Sequence, residues 1–134
     1  MRGRDRYRAI LIAAAVVLAG AGTVAVVVSG QQQQSDVALA LTGGDASRAP
    51  PLLRRYGCAG CHTIPGIPGA DGQVGAPLRD MRSRVYVGGV LPNNADNLIK
   101  WIVSPTTFNP KSAMPRTGVS ESEARDIAAY LYAQ

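Results

Sequence analysis

Cys58-Ala59-Gly60-Cys61-His62 is the stretch whose reading decides the fold. Two thiols separated by two residues can reach the two vinyl groups on one porphyrin edge. A histidine next in line then falls beneath the metal as an axial ligand. The pattern points to one covalent haem of c type, attached through Cys58 and Cys61, with His62 as the proximal ligand of its iron. No other cysteine or histidine occurs in the chain. A tetrahedral zinc site, which needs four such ligands, has no second ligand group to draw on, and one chain with one histidine cannot ligate an iron with two. Two thiol readings compete. One is a thiol-exchange centre, which ordinarily sits at the end of a strand in a βαβ unit, and no such strand is legible before Cys58. The other is a plain structural disulfide in an exported domain.

The sixth iron position needs a ligand from farther along the chain, and Met1 is excluded by location. Met114 stands in Ala113-Met114-Pro115, on a loop before the last predicted helix, where the proline stiffens the turn that presents the sulfur. Met81 lies among Arg79, Asp80, Arg82 and Arg84, a neighbourhood that reads as wet, and it is the lesser candidate. A lone methionine can also be core filler, and an open or water-bound position is the further alternative. A thioether ligand favours ferrous iron, so a His62/Met114 pair implies a high potential.

Three helices are readable around these residues. A short one ends at Tyr56-Gly57, with Pro50 and Pro51 in its opening turn, where a missing N–H costs little. A second covers about Ala95 to Val103, capped by Asn93 or Asn94 and closed by Pro105, with Leu98, Ile99 and Ile102 on one side. The third runs from Ser120 to about Ala133. Ser120 and Glu123 form a capping box, and Ala124, Ile127, Ala128 and Leu131 make its apolar stripe. The Gly- and Pro-rich loops between them, such as Thr63 to Leu78, suit a chain that wraps a large flat cofactor. Aromatic residues are 5% of the chain, with one Trp and one Phe. So few rings make a poor core by themselves, which again implies that a cofactor fills the middle.

Ala9 to Val28 is a run of twenty residues without a charge, long enough as a helix to span ~30 Å, the thickness of a bilayer's hydrocarbon core. Arg2, Arg4, Arg6 and Arg8 precede it and predict a cytoplasmic N-terminus, which sends the remainder to the far side. A cleaved export signal, cut after Gly30, is the competing reading. The expected organisation is a cytoplasmic basic segment 1–8, a transmembrane anchor 9–28, a flexible linker 29–48 and a haem domain 49–134. The linker's composition gives it an r.m.s. reach of ~20–25 Å. Net charge is +5, but beyond Gln31 ten basic residues stand against eight acidic ones. With no basic stripe there, nucleic acid is not an expected partner.

From about Gly43 to Leu131 the chain resembles the class I c-type cytochromes. The resemblance is carried by Cys58–His62 in front, then by Asn97-Leu98-Ile99-Lys100-Trp101-Ile102, Pro105, Ala113-Met114-Pro115 and Ala128-Ala129-Tyr130-Leu131 in the same order and spacing. It looks closest to small membrane-anchored monohaem cytochromes and to the cytochrome c domains of terminal oxidase subunits. The resemblance implies an all-α cytochrome c fold: three main helices and long loops wrapping one haem, here behind an N-terminal transmembrane helix. Gly75-Ala76-Pro77-Leu78 matches the family's Gly-Pro-x-Leu loop, so the carbonyl of Ala76 or Pro77 should accept the proximal histidine's Nδ1–H. Trp101 is placed on the haem edge or in the plain core, and Tyr86 in the pocket or on a surface loop. A glycine-on-aromatic crossing of first and last helices is expected from Gly57 with Tyr130 or Tyr132.

The function implied is single-electron transfer, without catalysis or a small-molecule substrate, on the periplasmic side of the inner membrane. The expected partners are the membrane and redox proteins: a donor such as a bc-type complex or dehydrogenase, and an acceptor such as a terminal oxidase. A swinging shuttle on the linker is the first form of this reading, and a fixed haem-relay subunit the alternative. A haem-based sensor would require a weak or absent Met114 ligand.

Overall fold

A computed structural model describes residues 2–134; Met1, the first residue of the expected basic segment 1–8, lies outside them. The chain divides into two units, residues 1–33 and 34–134. The first is helical and belongs to α1, Arg2–Thr42. Its side chains from Gly3 to Gln33 are all exposed, Ile10, Leu11, Leu18 and Val26 among them. The hydroxyls of Thr23 and Ser29 donate back to the carbonyls of Gly20 and Val26 at 2.8 and 2.9 Å. These side chains therefore need no water, as an apolar surrounding would demand. α1 is long and apolar enough to cross a membrane, a property that a signal sequence near an N-terminus shares.

The expected linker 29–48 is not flexible chain. Helix α1 continues through it to Thr42, because Gln31–Thr42 holds no Gly or Pro and is rich in Gln, Ala and Leu, good helix formers all. Ala38 and Thr42, one turn apart, are buried in the second unit. Gly43 ends the helix at φ +66°, its N–H donating to the Leu39 carbonyl at 2.8 Å, as a C-terminal glycine in the left-handed region does. Asp45 then caps a 3₁₀ turn, Ala46–Arg48. The second compact unit therefore begins before residue 49 and takes in the last turns of α1.

Beyond α1, the second unit packs its helices around one core. α2, Ala49–Arg55, has its prolines in the first turn and buries Leu52 and Leu53. α3, Cys58–Cys61, is a single turn. α4, Ala95–Val103, is capped by the Asn94 side chain, and it buries Leu98, Ile99, Trp101 and Ile102. Pro105 does more than end it, for it starts a further turn, α5, Pro105–Phe108. α6, Glu121–Tyr132, carries the capping box of Ser120 and Glu123 and buries Ala124, Ile127, Ala128 and Leu131. α6 lies against both α2 and α4. A 3₁₀ turn at Met81–Ser83 leads into a hairpin of β1, Tyr86–Val87, and β2, Leu91–Pro92. Tyr86 pairs with Pro92 and Val87 with Leu91. The hairpin lies in a segment whose Gly88-Gly89 pair between apolar residues is its sequence signal.

Four loops are tied to α6 by polar contacts. The Asp45 N–H donates to Asp126 Oδ1 at 2.8 Å, and Arg48 reaches the same carboxylate at 3.4 Å. Arg125 donates to the Thr42 carbonyl at 3.0 Å. Tyr56 Oη donates to Glu123 Oε2 at 2.8 Å, Tyr130 Oη to the Pro65 carbonyl at 2.6 Å, and Tyr132 Oη to Asn93 Oδ1 at 2.8 Å.

Two expectations follow. Gly44 is buried with its Cα against the Arg125–Asp126 backbone, where any Cβ collides with main chain. Gly44→Val should therefore cost about 1–3 kcal/mol, read as a lowered melting temperature; an unchanged melt means that α1 does not dock there. The second concerns acid. Hydrogen bonds from Ser120, then from Tyr56, hold the Glu123 carboxyl below its ordinary range. A depressed folded pKa stabilises the fold above the unfolded value, about 4.3, and that contribution is lost as pH falls through the folded value. Glu123→Gln should thus flatten the acid limb of stability below about pH 4.3 while changing its shape little at neutral pH. Melting curves across that range decide.

Candidate functional site

The site begins where α2 ends. Gly57, at φ +71°, turns the chain from Tyr56 into α3, a conformation that favours glycine over residues with a Cβ. Cys58 and Cys61 stand three apart on that turn and so share a face. Cys58 is half-buried and Cys61 exposed, both as free thiols. His62 leaves the turn extended, its N–H donating to the Cys58 carbonyl at 3.0 Å.

The loop that follows is built close against this motif. A Cβ on Gly72 would strike the backbone of Gly60 and Cys61, and a Cβ on Gly75 would strike the His62 ring. The Gly75 N–H donates to the Cys61 carbonyl at 2.7 Å. With the backbone that near, His62 Nδ1 lies 2.7 Å from the Ala76 carbonyl. A carbonyl only accepts, so Nδ1 carries the proton and Nε2 the lone pair. Of the two carbonyls the sequence leaves open, Ala76 supplies this contact. The Pro77 carbonyl instead receives the Arg84 guanidinium. Leu78 fixes the end of the loop, its N–H donating to the Thr63 carbonyl at 2.8 Å.

Two adjoining cavities meet here, and Cys58, His62, Gly75 and Met114 border both. The larger is walled by Leu53, Leu78, Val87, Leu98, Trp101, Ile102, Ile127 and Leu131, with Ala76, Arg84 and Tyr86 at its edge. Trp101 is buried beneath Gly88, which has no room for a Cβ against the indole. Tyr86 is largely exposed and touches the cavity at its rim. Pro77 is not on the wall. Met114 is half-buried, its N–H donating to Ser112 Oγ at 3.1 Å. Met81 is not in a wet neighbourhood: it is 4% exposed and lines the larger cavity. Arg79, Asp80 and Arg82 are the exposed charged neighbours, as a one-turn 3₁₀ segment allows.

Desolvation by burial raises the pKa of the Cys58 thiol. Thiol-exchange motifs ordinarily follow a strand of a βαβ unit, and among the described residues no strand precedes Cys58. The donor set instead fits a porphyrin iron. It offers two thiols on one helical face, an imidazole locked in one tautomer, apolar walls, and a thioether bordering the same space.

The expected pairing of Gly57 with Tyr130 or Tyr132 is not observed. A Cβ on Gly57 would meet nothing within 4 Å; its backbone angle is what requires glycine. Tyr130 reaches Pro65, and its hydroxyl closes on Gly66, while Tyr132 reaches Asn93. Sequence reasoning missed Gly72 and the roles of Gly75, Arg84 and Asn93: Gly75 entered only as part of the loop match, Asn93 only as a candidate helix cap and Arg84 only as a charged neighbour of Met81. The glycines carry a readable signal, recurring every third residue at 69, 72 and 75, whereas Arg84 sits unmarked in a run of charges.

The family model for cytochrome c matches residues 52–133, more than half of the chain and all of the site. No curated protein and no solved structure gives a match.

Gly75→Ala tests the close approach. It should leave any group held by Cys58 and Cys61 attached, displace the His62 ring and cost about 1–3 kcal/mol. The visible spectrum and melting temperature report both effects. A variant with the parent spectrum and melt would show that the loop does not press on the ring.

Proposed function

The chain belongs to the cytochrome c family, and on that premise we propose that Cys58 and Cys61 hold its haem by thioether bonds while His62 and Met114 ligate the iron. The family binds haem c covalently and carries electrons; it is not itself catalytic. The observation that carries the assignment is the 2.7 Å contact of His62 Nδ1 with the Ala76 carbonyl. It commits one ring nitrogen and leaves Nε2 as the donor beside a cavity that Met114 also borders.

When bound, haem supplies a one-electron couple at iron. The protein's own residues do the rest. The Ala76 carbonyl holds His62 in one tautomer and raises its basicity. Leu53, Leu98, Ile102, Ile127 and Leu131 keep water from the centre, so the surroundings rearrange little between redox states. Trp101 and Tyr86 stand at the wall and rim of the pocket. Cys61, at the exposed end of α3, puts one attachment point at the surface, where electrons can enter and leave.

In this reading residues 9–28 anchor the chain in the inner membrane, with 1–8 cytoplasmic and the haem domain periplasmic. Electrons pass from a bc-type complex or dehydrogenase toward a terminal oxidase. A shuttle that swings between donor and acceptor is the first form of this reading, and a haem relay held in a larger membrane complex is the second. Recovery of the protein with a complex after mild detergent extraction separates the two.

Ligand assignment is tested by paired variants, because both methionines border the larger cavity. Met114→Leu should keep the haem attached, abolish the near-infrared sulfur-to-iron band of the ferric protein and lower the potential. Met81→Leu should preserve the band and change mainly stability, by less than about 1.5 kcal/mol for a near-isosteric swap. The reverse outcome would transfer the ligand role to Met81.

A further inference from the structure

Asn93 is a half-buried amide at the mouth of the β2 strand, with each of its polar atoms engaged. Its Nδ2 donates to the Met81 carbonyl at 2.6 Å and to the Arg84 carbonyl at 2.8 Å. Its Oδ1 accepts from Tyr132 Oη at 2.8 Å, and its backbone N–H donates to the Val85 carbonyl at 2.9 Å. The amide has one sensible orientation, since the other sets its oxygen against two carbonyls. One side chain thus ties the last turn of α6 to both ends of the 81–84 turn. From that turn Arg84 reaches back, its guanidinium donating to the carbonyls of Pro77 and Arg79. Pro77 follows Ala76, whose carbonyl orients His62.

We infer that Asn93 is a positioning residue for His62, bracing against α6 the loop that fixes the imidazole. The inference rests on His62 as the iron ligand. Its consequence is specific: loosening Asn93 frees the loop and weakens the bond from His62 Nδ1–H to Ala76, with no group at the cavity changed.

The measurement is solvent exchange of the His62 Nδ1 proton by NMR in the full-length ferrous holoprotein in detergent. Asn93→Asp keeps an acceptor for Tyr132 and removes both Nδ2 donors, so exchange should quicken by about tenfold or more. Tyr132→Phe removes a single hydroxyl and should quicken it severalfold, which keeps the test open if the aspartate variant does not fold. Gly44→Ala, against the N-terminal half of α6 at Arg125 and Asp126, should lower the melting temperature and leave the exchange rate near that of the parent. An unchanged rate in both Asn93→Asp and Tyr132→Phe overturns the bracing role. Equal quickening by Gly44→Ala would do so too, since the effect would then be general loosening. If the parent protein shows no ligated Nδ1 proton, the ligand assignment itself falls.

Discussion

A single hydrogen bond, from His62 Nδ1–H to the Ala76 carbonyl at 2.7 Å, sets constraints on much of the surrounding chain. An imidazole can serve as a metal donor through Nε2 only if the other nitrogen keeps the proton, and a backbone carbonyl enforces that. To bring a carbonyl that near, the preceding residue must lie against the ring, so position 75 has no space for a side chain. The same loop must cross the backbone of α3, so position 72 has none either. The loop has no regular structure to hold it, and its stiffness comes from outside: Thr63 at one end, Arg84 on its carbonyls.

α6 is the element to which these supports return. Its buried stripe packs on α2 and α4, while its polar atoms collect the loops: Glu123 takes Tyr56, Asp126 takes Asp45 and Arg48, Tyr130 takes Pro65, Tyr132 takes Asn93. Asp126 is the one carboxylate of the group that is buried. A buried charge is tolerated only when paired and hydrogen-bonded, and here a backbone N–H and an arginine both meet it. Burial and polar contact thus act in sequence: apolar packing places α6, and its polar side chains then locate chain segments that have no periodicity of their own.

That division explains what was legible in the sequence. The motif at 58–62, the three helices, the capping box and the buried stripes of α4 and α6 all rest on local spacing, and spacing is what a sequence displays. The wall of the cavity was legible in part, through Met114 and Trp101. The linker misled because Gln and Ser suggest loose chain, whereas burial of Ala38 and Thr42 and the absence of Gly or Pro between Gln31 and Thr42 made that part helix. Met81 misled for a related reason: Arg79, Asp80 and Arg82 are exposed while its own side chain is buried. Asn93, Arg84 and the choice of Ala76 over Pro77 were hidden, because each depends on contacts between segments that no period links.

Burial and helix-end capping act together at the N-terminal end of the second unit. Here the C-terminal turns of α1 carry Ala38 and Thr42 into the core of the second unit. The Thr42 carbonyl, which would otherwise be an unsatisfied helix end, is taken by Arg125. Gly44 lets the following backbone lie directly on α6. The close approach and the capped carbonyl depend on each other: a Cβ at position 44 would push this backbone off α6 and carry the Thr42 carbonyl away from Arg125.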